Sequence, residues 1–130
     1  MSASRPIVVH PGEEIPGPAT PDKQRFVYDR DGRWLGWAGW IRNAAGDVGG
    51  WHHHADNDTY VYVIRGSVTI DFGPDGSESV VARAGDFFIV PAQTIHRETT
   101  SSEADLEAFV FRVGGEPEHV EVGGPEAAPG

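Results

Sequence analysis

Half of the histidines of this chain stand in one tripeptide, His52, His53 and His54, directly before a β-rich run. Residues two apart on a β-strand face the same side of the sheet and lie about 6.6 Å from one another. His52 and His54 can therefore turn both imidazoles toward one metal ion, while His53 is expected to face the opposite side. Imidazole nitrogen is a common ligand of divalent metals, so the tripeptide predicts two ligands of a metal site. The alternative is a polar surface patch that binds no metal.

A third ligand must come from elsewhere, because even an open catalytic site usually takes three protein ligands. The chain has no cysteine, which excludes thiolate ligands and disulfides. The remaining candidates are His10, His96 and His119. His10 lies in a Pro-rich stretch and His119 in a polar C-terminal stretch, whereas His96 follows the strand-like run "GDFFIVPAQTI". Its position after a strand favours His96, and His10 and His119 stay open as alternatives at this point.

The elements that carry these residues are predicted to be short β-strands. Seventeen glycines and ten prolines interrupt the chain at short intervals, and no long stretch shows apolar residues at helical spacing. The β-branched and aromatic runs include "RFVYD", "WLGWAGWIRN", "TYVYVIRG", "SVTIDFG", "FFIVPAQ" and "LEAFVFRVG". Short strands at this regular spacing indicate an antiparallel sandwich or barrel.

Large apolar side chains on these strands are candidates for the core. Six are expected to fill the barrel, because core-facing positions of a strand are usually apolar: Val61, Val63, Phe87, Ile89, Phe109 and Phe111. Three tryptophans, Trp34, Trp37 and Trp40, are assigned to core or dimer packing, with lining of a substrate pocket as the alternative.

Two motifs resemble those of the cupin superfamily. The first is carried by Gly46, His52, His54, position 59 and Gly66, and its usual Tyr-Val-Ile-x-Gly ending by residues 62–66. The second is carried by Gly85, Pro91 and His96. The similarity spans about residues 34–113, and the two motifs occur in the order that the family has.

The resemblance implies an all-β fold, the double-stranded β-helix or jelly-roll barrel. It also implies a metal bound inside the mouth of the barrel, with His52, His54 and His96 as its ligands. We expect one cupin domain over residues 1–130. Within it, residues 1–24 form a Pro-rich N-terminal arm, residues 25–113 the barrel and residues 114–130 a flexible C-terminal tail.

The chain departs from the family pattern at three positions. Thr59 stands where cupins usually have a glutamate ligand, Gln93 replaces an internal glycine, and Thr100 replaces a trailing asparagine. Thr59 has two interpretations: a decayed site on a metal-free binding barrel, or a neutral three-histidine site with an open coordination position, as some cupin dioxygenases have. Asp56 or Asp58 could supply a carboxylate if the loop rearranged.

The resemblance and the ligand set favour a metal-dependent enzyme for a small organic molecule. Three imidazoles suit several metals; Fe(II) is favoured, and Zn, Mn, Ni, Cu and Co are alternatives. Oxidative cleavage of the dioxygenase type is the first hypothesis. A redox-neutral lyase, isomerase or cyclase is the second, with Tyr60, Tyr62 or Glu98 as candidate bases. The third is a non-catalytic small-molecule-binding module.

Composition limits the partners. Ten Lys and Arg against twenty Asp and Glu give a formal charge of -10, which disfavours nucleic acid and anionic membranes. No apolar run is long enough for a signal peptide or a membrane span, so a cytoplasmic location is expected. Arg97 and Arg112 could neutralise an acidic substrate or pair with carboxylates. Open β-edges and surplus aromatics predict a homodimer.

Overall fold

The computed structural model describes Val8, His10 and residues 15–17, 20–30, 33–115 and 118–128, with the backbone alone for residues 15–37. In these ranges the chain forms eleven strands and one short 3₁₀ turn at Pro74–Gly76. The strands are β1 (Ile15–Gly17), β2 (Thr20–Arg30), β3 (Arg33–Asn43), β4 (His52–His53), β5 (Asp58–Arg65), β6 (Ser67–Phe72), β7 (Glu78–Arg83), β8 (Phe87–Val90), β9 (His96–Thr100), β10 (Leu106–Val113) and β11 (Val120–Glu121).

The strands form two antiparallel sheets. The first sheet has the order β1-β2-β3-β10-β5-β8 and the second has the order β11-β4-β9-β6-β7. Strands distant in sequence are neighbours in both sheets, since β10 lies between β3 and β5, and β9 lies between β4 and β6. This interleaving of two antiparallel sheets is the arrangement of a jelly roll, and it confirms the predicted all-β fold.

The core lies between the two sheets. Val63 and Leu106 of the first sheet pack in one cluster with Val68, Ile70 and Ala82 of the second. All five side chains are at most 4% exposed. Burying a Val, Leu or Ile side chain contributes about 1.5–3 kcal/mol. The inward-facing residues of both sheets therefore hold the sheets together.

The outer surface of the first sheet differs from the prediction. Val61 and Val63 fill the core as predicted, but four expected core residues are 40–74% exposed: Phe87, Ile89, Phe109 and Phe111. Successive side chains of a strand point to opposite faces. In β8 the inward set is Phe88 and Val90, which are half-buried and buried respectively, so its exposed neighbours lie outside.

Trp40 also lies on this outer surface, where it is opposite Phe109 of β10 in the strand register. Its indole is 40% exposed, so it does not belong to the core. The side chains of Trp34 and Trp37 lie outside the described part of the structure, and their packing role stays a prediction.

Both predicted end segments contain strands. Within the predicted arm, β1 and the start of β2 pair at the edge of the first sheet. Pro16 lies on the edge strand β1, which tolerates a missing N–H. Pro21 lies at the start of β2, ahead of Arg25, where the pairing with β3 begins. Within the predicted tail, β11 pairs with β4, so residues 120–121 belong to the second sheet. None of the described helical residues forms a span that could cross a membrane.

Candidate metal centre

Strand pairing in the second sheet brings the predicted ligands together. His52 of β4 lies directly opposite His96 of β9, and such partners have Cβ atoms about 4.5–5.5 Å apart. His54 follows β4 and shares the side of His52 because it is two residues away. One ligand atom of each imidazole lies within 4.8 Å of the other two, and the three side chains are only 2–6% exposed. We call these three residues the histidine cluster.

His53, the middle residue of the tripeptide, is not part of the histidine cluster. Its Nδ1 accepts a hydrogen bond from the backbone N–H of Ala55 at 3.0 Å. The side chain is half-buried, and its hydrogen bond closes the turn that follows β4. This placement agrees with the opposite orientation expected for the middle residue.

Each imidazole of the histidine cluster is fixed in one tautomer by a backbone carbonyl. The three Nδ1–H groups donate as follows: His52 to Gly50 at 2.8 Å, His54 to Glu118 at 2.9 Å and His96 to Thr94 at 2.9 Å. Because a carbonyl oxygen only accepts, the proton must be on Nδ1 and the lone pair on Nε2. Metal-binding histidines are oriented in this way, so the cluster fits a divalent metal ion.

Burial also keeps two of these imidazoles, those of His52 and His54, uncharged. It is the main reason that the pKa of His52 falls to about 4, although its hydrogen bond to Gly50 opposes the change. Burial, followed by the charge of Arg112, holds the pKa of His54 far below its ordinary value. Neutral imidazole is the form that binds metal, so His52 and His54 do not have to lose protons at neutral pH before binding.

Acidification is expected to destabilise the metal-free protein. Burial lowers the pKa of His52, His54 and His119 in the folded state, whereas the unfolded values stay near 6.5. As the pH falls below about 6.5, the unfolded chain therefore binds protons that the folded chain does not, and the free energy of unfolding decreases. For His52 this loss continues down to a pH of about 4.

Urea unfolding of chelator-treated protein between about pH 7.5 and 5 measures this loss. The free energy of unfolding should fall toward the acidic end, with a smaller slope in a His52→Gln variant. A flat profile over this window would contradict the linkage.

His119 lies against the histidine cluster, although its sequence position gave it less weight. Its ring stacks on His52 with centroids 4.2 Å apart and planes at 11°. Its Nε2–H donates to Glu121 Oε1 at 3.2 Å, so that nitrogen is engaged. β11 brings this residue to the site, and the alternating sequence "HVEV" at 119–122 is the signal that could have identified the strand.

The hydroxyl oxygen of Thr59 accepts a hydrogen bond from an arginine beside the histidine cluster. Thr59 of β5 and Arg112 of β10 are opposite in the strand register. Arg112 Nε donates to Thr59 Oγ1 at 2.9 Å, and Arg112 Nη2 donates to His54 Nε2 at 3.2 Å. The position where the family usually has a carboxylate thus supports a guanidinium, which reverses the sign of the local charge.

The two loop aspartates are used elsewhere. Asp58 accepts a hydrogen bond from the backbone of Ala92 at 2.8 Å, and Asp56 accepts one from the Gln93 side chain at 3.0 Å. Gln93 has φ 63°, a left-handed conformation that explains why glycine suits this motif position. Both carboxylates therefore stabilise the turn before β9, and neither joins the histidine cluster.

The three candidate bases are divided between two parts of the structure. Tyr60 and Tyr62 are 38% and 36% exposed on the outer surface of the first sheet, on the opposite face from Thr59, and do not reach the histidine cluster. Glu98 is half-buried and lies two residues from His96 on β9, opposite the buried Ile70. Its charge acts on His52, so Glu98 is the one of the three that borders the site.

Known proteins support the same fold. A family model described as a cupin domain matches residues 39–112. Over 47 residues the chain is 40% identical to the uncharacterized protein YdbB of Bacillus subtilis (strain 168), which is 36% of this chain and 40% of that protein. The chain thus matches less than half the length of that relative.

Solved structures resemble the chain at low sequence identity. BH2720 from Bacillus halodurans has a TM-score of 0.58 at 16% identity, over 72% of this chain and 71% of that one. The Cnp3 cupin domain of Schizosaccharomyces pombe has a TM-score of 0.59 at 11% identity, over 70% and 60%. An oxalate oxidase in complex with the substrate analogue glycolate has a TM-score of 0.58 at 22% identity, over 67% and 46%. These likenesses concern the fold alone.

Proposed function

Because this chain belongs to the cupin family, we propose that it is a metal-dependent enzyme acting on a small organic molecule, with His52, His54 and His96 as the metal ligands. The observation that carries the proposal is the common tautomer of the histidine cluster. Three buried imidazoles have ligand atoms within 4.8 Å of one another. Each is fixed by a carbonyl at its own Nδ1, which leaves Nε2 as the nitrogen with a lone pair. Packing alone gives no reason to align three imidazoles in this way.

Within the proposed class, oxidative chemistry of the dioxygenase type is our first assignment, with Fe(II) as the favoured metal. When bound, a divalent ion supplies a Lewis acid and, in the case of Fe(II), a centre for dioxygen activation. The cluster contains no carboxylate among the described residues, which leaves coordination positions for substrate. A structural neighbour is an oxalate oxidase, which supports the class at the level of the fold.

A redox-neutral lyase, isomerase or cyclase is the second candidate, and one observation favours it. Glu98 is a half-buried carboxylate on the same strand as His96, and its charge acts on His52. A carboxylate at that place could accept a proton from a bound substrate. A non-catalytic binding module would use the same residues but release its ligand unchanged.

Dioxygen uptake by the iron-loaded protein tests the proposal. The substrates are a panel of β-diketones, catechols and flavonols, and wild type is compared with His96→Ala and with His53→Gln, which should behave like wild type. Uptake that needs His96 supports the oxygenase. Conversion of a substrate without dioxygen supports the redox-neutral enzyme, whereas metal and ligand binding without turnover would contradict the enzymatic assignment.

A further inference from the structure

The outer surface of the first sheet carries a continuous layer of apolar side chains. Each strand contributes its outward residues, because successive side chains of a strand point to opposite faces. The strand register arranges these residues in two rows across β3, β10, β5 and β8, and the large side chains in both rows are 36–74% exposed. We call the following eight residues the aromatic face: Trp40, Phe109, Tyr62 and Phe87 in one row, and Ala38, Phe111, Tyr60 and Ile89 in the other.

The aromatic face does not contribute to the core between the sheets. The inward residues of β5 and β10, Val61, Ala108 and Val110, already form a buried cluster in which each side chain is at most 4% exposed. The rings of the aromatic face lie on the other side of the same strands and stay accessible. Their apolar character is therefore not explained by the packing of the two sheets.

The accessible area of the aromatic face is large for a monomer. At about 200 Å² for a typical aromatic side chain, the exposed fractions of the seven large side chains leave on the order of 650 Å² accessible. The largest apolar patch of a typical monomer is about 300–600 Å², and contiguous patches above this size mark interaction sites. The aromatic face is thus expected to be covered by a partner.

The rings of the aromatic face are held in place before any partner binds. The ring centroids of Tyr62 and Phe87 lie 4.8 Å apart, and those of Tyr60 and Phe111 lie 6.2 Å apart. Aromatic pairs at such separations stabilise each other. Because association costs free energy for every side chain that it must order, a layer of rings that already contact one another loses less freedom on binding.

The charge distribution favours a contact between two copies at this face. The chain has a formal charge of -10, so two copies repel each other on average. None of the eight residues of the aromatic face is charged, and the bordering row is mixed in sign, since Glu107 is opposite both Arg42 and Arg65 in the strand register. Two copies can therefore meet here at little electrostatic cost, whereas a strongly charged partner would find no opposite charge in the layer.

The shape of the aromatic face also suits a copy of itself. Phe87 is its most exposed residue, at 74%, and forms one wall of a shallow depression. The other residues that line this depression are Tyr60, Val61, Tyr62, Phe109 and Phe111. A two-fold axis brings the same patch of both subunits together, so that each contact is made twice. The protruding ring of each copy can then enter the depression of the other.

We propose that a second copy of this chain covers the aromatic face, in a two-fold symmetric homodimer. A standard interface uses about 800 Å² per partner, so the aromatic face and the bordering row around Glu107 supply the area that a stable dimer needs. The proposal goes beyond the proposed function, because it depends on neither a metal nor catalysis. It places the contact of the expected homodimer on a sheet face rather than on the open β-edges.

Light scattering coupled to size-exclusion chromatography tests the proposal. Wild type should be a homodimer at micromolar concentration. Phe87→Glu should raise the dissociation constant by about 30-fold or more, because dimerisation would bury an unpaired charge. Val81→Glu is the matched control, since Val81 is 46% exposed on β7 of the second sheet, and this variant should dimerise like wild type.

A second variant separates loss of the dimer from loss of the fold. Ile89 is 58% exposed and lies in the other row of the aromatic face, opposite Tyr60. Ile89→Lys introduces a charge of the opposite sign and should weaken the dimer as Phe87→Glu does. Both substitutions are at exposed positions, so both variants should keep the circular dichroism spectrum of wild type. If one of them fails to fold, the other decides the result.

Cross-linking locates the contact on the molecule. The chain has no cysteine, so a single introduced thiol is the only one in the protein. Tyr62 lies between Phe109 and Phe87 in its row, and a short bis-maleimide should link two copies of Tyr62→Cys but not two copies of Val81→Cys. A monomeric wild type, a dimer that Phe87→Glu and Ile89→Lys leave intact, or cross-linking of Val81→Cys alone would overturn the proposal.

Discussion

Replacing His96 with alanine is expected to remove tight metal binding. The side chain is 2% exposed, lies opposite His52 and is one of three residues whose ligand atoms lie within 4.8 Å of one another. Loss of a group that only supports a ligand costs up to about 100-fold in metal affinity, so loss of a ligand should cost at least that much. Metal analysis of protein purified without an affinity tag, followed by zinc titration, measures the change.

The control for this experiment is His53→Gln, because His53 is a neighbour in sequence but not a member of the histidine cluster. It should bind zinc like wild type. A His52→Ala variant should reproduce the loss, which separates a ligand effect from the cavity that any single truncation leaves in the fold. Wild-type zinc affinity in His96→Ala would show that the histidines do not form a metal site.

Replacing Gly66 with alanine is expected to cost about 3 kcal/mol or more of the free energy of unfolding. Gly66 joins β5 to β6 at φ +82°, and a Cβ at this position would lie 2.5 Å from the backbone oxygen of Asp105. The substitution therefore combines a left-handed conformation, which disfavours side chains, with a clash against backbone that cannot rotate away. Urea or thermal unfolding of the two proteins measures the difference.

Gly46 provides a matched control for this variant. Its φ is +80°, almost the same, but a Cβ there would meet nothing within 4 Å. Gly46→Ala should therefore cost only the conformational penalty, about 1 kcal/mol. An equal loss of unfolding free energy in the two variants would mean that the contact with Asp105 does not add to the destabilisation of Gly66→Ala. The comparison also gives a physical reason for the closing glycine of the first motif, which resemblance alone does not supply.

The sequence was sufficient to predict the fold class and the three clustered histidines, because both depend on local spacing. The period of two along a strand places His52 and His54 on one side, and the second motif provides His96. The register that sets His52 opposite His96 depends on the pairing of strands 44 positions apart in the chain, and spacing alone does not specify this pairing. The burial and the tautomers of the three histidines depend on the same tertiary contacts.

The wrong core assignments have one cause. Phe87, Ile89, Phe109 and Phe111 are as apolar as any core residue, so hydrophobicity alone favoured burial. Only the register of β8 and β10 decides which alternate set faces inward. The smaller residues Ala108 and Val110 are the buried ones in β10. An exposed apolar surface and a buried apolar core give the same hydrophobic pattern in the sequence of a single strand.

The sequence offered His119 as a candidate ligand and Arg112 as a candidate partner of an acidic substrate, but it did not specify their contacts at the site, since both depend on distant partners. Arg112 reaches Thr59 across 53 positions of the chain, and His119 reaches His52 only because β11 pairs with β4. The Thr59 substitution was visible as a departure from the family pattern. The hydrogen bond between Thr59 and the guanidinium of Arg112 follows from the pairing of β5 with β10, which the sequence pattern does not show.

The pairing of β11 with β4 also sets the order in which the site can be completed during synthesis. Glu118 supplies the carbonyl that orients His54, and His119 covers His52. The strands of both sheets up to Val113 leave the ribosome before this segment does. The orientation of His54 and the cover over His52 are therefore completed only after residues 118–122 have emerged. The same dependence makes this segment a poor place for a fusion or a cleavage site.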